Sequence, residues 1–423
     1  MACGKDPAGL EVQDGSDSGA ETGPATTTGD PTTSSTSDAD GDGSTAGAMP
    51  PLYDVGTIPD VPGSACGDNP GGPGGQVEFS YIWIANSAQG TISKINTVSM
   101  EEEGRYQAKP SNGDPSRTSV SLTGNVVVAN RNGGLAKFYA NPADCVESNG
   151  TPGIQTSTGA GDVLPWGEDE CLAWYTDFTC SSNRPAAWTR GEWNEASCSY
   201  FDEKVWTACD DIAIQLNGDT GEVEHAVKLN PEMNNSYNFI YGGAADADGN
   251  FWALDSGIQR LYRVDGTTYD LQDFPLPDIG GYGITVDSAG RPWVCGGGAV
   301  ARFNLDDSTW TSTGGWGGIG GCMTDGNNRI WHANEQTFGT VQAFDTETLD
   351  VVEEIVMPEY VHGVSVDYQG NVWGVSFAGN NAYRGDPVTD KVDTYSGLFG
   401  AYTYSDMTGV GLSSAGGGGT PQG

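Results

Sequence analysis

The sequence predicts an all-β protein, a seven-bladed β-propeller closed by a C-terminal inner strand, with a disulfide-rich insertion and a disordered N-terminal linker. Three observations predict it. A unit read most cleanly from His362 to Ser376 (HGVSVDYQGNVWGVS) recurs from Tyr241 to Asp255 (YGGAADADGNFWALD), Tyr282 to Gly296 (YGITVDSAGRPWVCG) and Gly320 to Asn334 (GGCMTDGNNRIWHAN), with Asp and Trp six residues apart each time. Self-similarity at roughly forty residues marks a radially repeated sheet. Almost no stretch keeps the 3.6-residue apolar period over three turns, and Gly at 64 of 423 suits tight turns rather than helices. Finally, the far end of the chain, Tyr402 to Thr408, reads as an inner strand where the first blade lacks one.

In chain order, residues 1–76 are rich in Thr, Ser, Gly, Asp and Pro. They cannot bury enough apolar surface to offset ordering entropy and are predicted to be a disordered tether. Strands then read from Tyr81 to Ser87 (YIWIANS), Gly90 to Thr97 and Glu102 to Gln107, an antiparallel meander with turn punctuation. A second copy starts at Arg117 and keeps the frame without the Trp, Asn130 standing where Asn86 stood. Residues 141–203 break the period with Cys145, Cys171, Cys180 and Cys198 and four tryptophans. This insertion is either a disulfide-stapled excursion from a blade edge or a cap over one face. Within it, Asp144 to Gly150 reads as a polar turn with a faint likeness to a calcium loop, lacking the later acidic ligands. A third copy resumes at Arg184 and continues through Lys204 to Asp211, and the four full units follow. Each is trailed by a hairpin whose turn opens on Asp265, Asp306, Asp345 or Asp386, as Asn96 opens one in the first copy. The propeller is placed at 77–415 and a flexible tail at 416–423.

A net charge of −39, with only 18 Lys and Arg, repels polyphosphate, so nucleic acid and anionic membrane surfaces are excluded as partners. Nine cysteines, at 3, 66, 145, 171, 180, 198, 209, 295 and 322, show no Cys-x-x-Cys and no zinc spacing. They read as disulfides in an oxidising compartment. With Cys3 set aside, the candidates are Cys66, Cys145, Cys171, Cys180, Cys198, Cys209, Cys295 and Cys322, and only Cys295 with Cys322, on neighbouring blades near the axis, suggests a pairing.

Within such a blade the first strand runs along the axis and the second returns antiparallel. The residue that starts the first strand and the one three after the Trp therefore emerge at the same end. This gathers Arg117, Arg184, Tyr241, Tyr282, His362 and Tyr402 on one mouth, and beside them Asn86, Asn130, Asp210, Asp255, Asn334 and Ser376. Two readings stay open: such residues plug the channel, or they bind a ligand, Arg offering a planar fork for carboxylate or phosphate and Tyr a flat surface with a polar tip. His225, in an outer strand, and His332, after a core Trp, read as structural.

The repeated His/Tyr-Gly-Val-x-x-Asp-x-x-Gly-x-x-Trp resembles virginiamycin B lyase-like and NHL-type propellers, and Tyr81 to Ser87 resembles the related YVTN repeats. The resemblance covers about residues 79–410 outside the insertion. The lyase family implies a metal-assisted elimination by a His that opens an inner strand, matched by His362, and an acid at the end of the next strand. Ser376 stands at the acid's place, while Asp255 holds the equivalent position in another blade and Glu335 lies one residue off in a third. The start of the chain, Met1-Ala2-Cys3-Gly4 before a polar linker, resembles the mature end of a bacterial lipoprotein with Cys3 acylated, which requires a trimmed or truncated signal segment.

The expectation is a secreted or surface-tethered, monomeric, lipid-anchored bacterial propeller. It binds a small molecule, peptide or surface protein at this mouth without catalysis and requires no cofactor. The alternatives are an enzyme of the lyase type, with His362 as acid or base, Asp255 as a metal ligand and calcium or magnesium as the ion, or an adhesive protein working through its insertion.

Overall fold

A computed structural model describes residues 80–415 except 195, 197–198, 231–239, 297–298, 314–318 and 335–338, together with the backbone of Gln13–Asp14. The remainder of the predicted 1–76 tether, Cys3, Cys66, Cys198, Glu335 and the 416–423 tail lie outside the described residues.

Seven sheets form the body, antiparallel throughout except that the third carries Gln13–Asp14, from the segment predicted to be disordered, in parallel beside Val223–Lys228. In the seventh, Val361–Val366 runs along the axis, followed by Val372–Ser376, Asn381–Gly385 and Val392–Ser396 toward the outside. The fourth to sixth repeat this order, their inner strands being Ile240–Ala245, Gly283–Val286 and Cys322–Thr324. The first blade has only three strands of its own, Tyr81–Asn86, Thr91–Asn96 and Glu102–Gln107. The C-terminal segment closes it, as expected. Asn86 bridges Ala401, the Tyr402 amide donates to the Ala85 carbonyl, and the Trp83 amide donates to that of Met407. A short helix, Val410–Ser414, then lies buried against inner strands at the far end of the axis.

The Asp–Trp spacing has a direct cause. The Asp at the first turn accepts the indole N–H of the Trp six residues on: Asp246 from Trp252, Asp287 from Trp293 and Asp367 from Trp373 at 2.8 Å, and Asp325 from Trp331 at 3.1 Å. The same carboxylates accept turn amides, as Asp367 does from Gln369 and Asn371. One side chain thus closes the turn and satisfies a buried indole. In the first and third blades, which lack this Asp, Trp83 and Trp206 donate to the Gly124 and Gly249 carbonyls in the turns of the next blades.

The Gly after Tyr241, Tyr282 and His362 answers to crowding at the axis. A β-carbon on Gly363 would run into the Thr403 carbonyl oxygen, and one on Gly242 would sit 2.8 Å from Ile284 Cγ2. Inner strands also bond to one another here, the Gly321 amide donating to the His362 carbonyl at 2.8 Å.

Two expectations need correction. Residues 141–203 are not one insertion. They contain the outer strand of the second blade, Leu172–Thr176, which was not expected, and the inner strand of the third, Asn183–Trp188, where the third copy is expected to resume at Arg184. What is inserted is a loop before Leu172, stapled by Cys145–Cys171, and a hairpin of Glu192–Asn194 with Ser199–Phe201. Further, the hairpin in the fifth blade is capped by Asp307, which accepts the Thr309 amide, and not by Asp306. Asn304, paired with Thr309, holds the position that Asp265, Asp345 and Asp386 hold at the start of their four-residue loops, so in this blade the capping acid lies inside the loop.

Two more disulfides, Cys180–Cys209 and the expected Cys295–Cys322, join neighbouring blades. Bridges closing loops of 26 to 29 residues contribute roughly 3–4 kcal/mol each in the chain-entropy picture. They point to an extracellular or periplasmic fold. No helix among the described residues is long and apolar enough to cross a membrane.

Candidate functional site

Strand polarity brings the six predicted rim residues to one end of the axis, where four of them meet directly. The Tyr282 hydroxyl lies 2.8 Å from His362 Nε2, 2.5 Å from the Tyr402 hydroxyl and 3.2 Å from that of Tyr241. His362 Nδ1 lies 2.9 Å from the Tyr360 hydroxyl, which donates to the Ile319 carbonyl at 2.7 Å. A carbonyl only accepts, so the Tyr360 proton is spent there. It follows that Nδ1 carries the imidazole hydrogen and donates to Tyr360, and Nε2 accepts from Tyr282. Tyr282, its proton used, accepts from Tyr402 and Tyr241. One carbonyl therefore orients five side chains, and the lone pairs of Tyr241 and Tyr402 are what the network leaves toward the mouth.

Three guanidiniums stack on this aromatic group: Arg117 over Tyr404 at 3.7 Å, Arg184 over Tyr241 at 4.5 Å and Arg131 over Tyr402 at 4.7 Å. Arg117 is fully buried and donates to the Tyr404 and Tyr282 carbonyls at 3.2 and 3.3 Å. Arg131 is paired with Asp114. Arg184 is partly exposed, and its Nη1 is buried without a hydrogen-bond partner. Burial, and then the Arg117 charge, push the His362 imidazole down to about 3, so the ring is neutral at physiological pH. Burial raises the Tyr241 phenol, but Arg184 and the hydroxyl contacts outweigh it and hold it below the usual tyrosine range. Tyr282 and Tyr402 are held above that range, first by burial and then by their phenol neighbours.

The second predicted set sits at the ends of second strands, its polar groups bonded to adjoining strands and loops, with Asn130 Oδ1 buried without a partner among the described residues. Asn86 donates to Ser93 and accepts the Phe399 amide, Asn130 donates to the Ala108 carbonyl, and Asn334 donates to Gln342. Asp210 accepts the Ser181 and Ser182 amides, and Asp255 those of Gly257 and Ile258. Ser376 donates to the Asn381 carbonyl. No hydrogen bond joins His362 to Asp255. Among the described residues no group of three or more His, Cys, Asp or Glu gathers as a metal site. In the stapled loop, Glu147 accepts the Gly150 amide across the turn expected there.

Four contributors escaped the sequence reading: Tyr360, Phe377, Tyr404 and Arg131. Tyr360 and Tyr404 each stand two residues from a predicted rim residue, His362 and Tyr402, and the two-residue strand period was the signal for them. Phe377 is 45% exposed and packs on His362 and Tyr402 with ring centroids 4.8 and 5.4 Å apart. The mouth is filled by these side chains. A cavity of about 30 Å³ lies lower on the axis among Ser119, Ile284, Met323, Asp406 and Leu412, room for about one water.

No protein-family model matches the sequence, and no curated protein does. Among solved structures, a functionally unknown protein from Desulfotomaculum acetoxidans DSM 771 has a TM-score of 0.54 at 12% identity, covering 77% of this chain and 100% of its own. A protein from Lactobacillus plantarum has a TM-score of 0.54 at 11% identity, covering 77% and 98%. Catalytically inactive virginiamycin B lyase from Staphylococcus aureus with quinupristin is matched at TM-score 0.44 and 14% identity, covering 67% and 84%. At these identities the likeness is one of fold. The chain is a disulfide-bonded seven-bladed β-propeller with an aromatic and cationic mouth.

Proposed function

We propose that this protein binds a ligand at the Tyr241, Tyr402, Arg184 and Phe377 mouth without turning it over. One observation carries this reading: scarce bases and aromatic rings converge at one end of the axis, with no carboxylate paired to Arg184 among the described residues. Because the mouth is filled, the ligand lies on the aromatic surface rather than in a deep pocket. Stacking and cation–π contacts supply its affinity. In this reading the 1–76 segment is a tether with Cys3 acylated, which gives the propeller reach from a cell surface. Calcium or magnesium plays no part at the mouth.

A thermal-shift screen of the full chain against small molecules and peptides tests the proposal, repeated with the Arg184→Gln/Tyr402→Ala variant. Hits that lose their shift in the variant and are recovered unchanged support it. Hits indifferent to the variant sink it.

A lyase-type reading asks His362 to present a nitrogen to metal or substrate. Both nitrogens are engaged by phenols and no carboxylate bonds to the ring, so this reading is carried less far.

A further inference from the structure

We infer that the mouth selects an oxyanion carried next to a hydrogen-bond donor, the chemistry of a hydroxycarboxylate or an acylated amino acid. The inference rests on the mouth being a binding site and adds what that site recognises.

Two independent features specify it. The first is uncompensated positive charge. Arg117 and Arg184 enter no ion pair among the described residues. Arg117 donates to two backbone carbonyls and stacks on a ring face, its buried Nε having no partner among the described residues, and the neighbours of Arg184 are the phenols Tyr404, Tyr241 and Tyr402. Among the described residues, Asp114 is committed to Arg131, Asp210 and Asp255 to nearby backbone amides, and Glu359 accepts from Asn381. Arg184 has a partly exposed guanidinium whose buried Nη1 has no hydrogen-bond partner among the described residues, and a guanidinium so placed suits a planar oxyanion. Arg117 beneath adds field without contact.

The second feature is the direction of the hydrogen bonds. The Tyr241, Tyr282 and Tyr402 hydroxyls form a triangle, Tyr241 and Tyr402 lying 3.3 Å apart, so the two outer phenol protons are spent within it and Tyr241 and Tyr402 face a ligand as acceptors. A bare anion there would meet lone pairs. An anion flanked by O–H or N–H groups places its charge on Arg184 and its donors on the two phenols. The exposed ring of Phe377 offers an apolar rest for the remainder of the molecule. The surrounding net charge of −39 disfavours anions that lack such a local match.

The test uses mandelate, its neutral methyl ester and phenylacetate, which lacks the hydroxyl, titrated into full-length protein with ¹³C-labelled tyrosine. Weak fragments of this size bind in roughly the millimolar range. Mandelate is expected to shift Tyr241 and Tyr402, with the ester and phenylacetate each about tenfold weaker and Arg184→Gln reducing mandelate binding about tenfold. Arg184→Lys, which keeps charge but loses the fork, is expected to fall between. Equal binding of mandelate and its ester at the mouth, unchanged by Arg184→Gln, overturns the inference and leaves the binding site standing. If no probe moves a mouth tyrosine at tens of millimolar while mandelate moves others, both fall.

Discussion

His362 Nε2 accepts the Tyr282 hydroxyl at 2.8 Å, and Tyr282 is in turn the acceptor for two further phenols. This makes Tyr282 the hub of the mouth. Tyr282→Phe leaves Nε2 without a donor and strands the Tyr241 and Tyr402 protons, so a loss of about 2–3 kcal/mol in urea unfolding is expected, against under about 1 kcal/mol for the peripheral Tyr175→Phe. Equal costs would mean that the network is not a unit.

Two buried histidines set the acid limit of the fold. Burial holds His332 near 4 and His362 near 3, below the ordinary 6.5. The unfolded chain then binds more protons below about pH 6.5, and each histidine lowers stability by up to about 1.4 kcal/mol per pH unit as pH falls from there toward its folded value. Among the described residues His332 has no hydrogen-bond partner on either ring nitrogen, so His332→Leu is expected to flatten the acid limb without harming stability at neutral pH. Urea midpoints from pH 4 to 7 measure this, and an unchanged slope would refute it.

Gly363 faces the Thr403 carbonyl across the closing seam. Gly363→Ala should cost more than about 3 kcal/mol or prevent closure, whereas Gly161→Ala, whose β-carbon meets nothing within 4 Å, should stay within about 0.5 kcal/mol. A tolerated Gly363→Ala would contradict the packing described for the axis.

Asp367 accepts the Trp373 indole and two turn amides. Asp367→Ala removes all three acceptor contacts and should cost about 2–4 kcal/mol, with Asp287→Ala similar in its own blade. A loss below about 1 kcal/mol would show the Asp–Trp pair to be incidental.

These pairs explain why the fold was legible in the sequence. Asp367 and Trp373 must keep their spacing to bond, and Gly363 must stay small, so the repeat shows itself through chemistry that tolerates little change. Where the chemistry changes, legibility fails. Leu172–Thr176 was hidden inside a run of Cys and Trp because an outer strand, with one face half exposed, carries no Asp–Trp signature. Strand polarity gathered Tyr241, Tyr282, Tyr402 and His362 at one mouth, but the direction of their hydrogen bonds depends on the Ile319 carbonyl, which no side-chain pattern reveals. Asn86, Asn130 and Asn334 share a strand-end position, but Asn86 and Asn334 donate to Ser93 and Gln342 on the adjoining strands and Asn130 to the Ala108 carbonyl in a loop, pairings the shared position does not spell out.

The most direct test of the mouth as a binding site is ¹³C-tyrosine NMR of the full chain titrated with the hits of an unbiased screen, the signals assigned by single Tyr→Phe variants. Movement of Tyr241, Tyr402 and Tyr282 ahead of all others is the predicted result. Shifts confined to peripheral tyrosines such as Tyr175, Tyr269 and Tyr395, with the mouth signals fixed, would contradict it and leave the aromatic cluster as a plug.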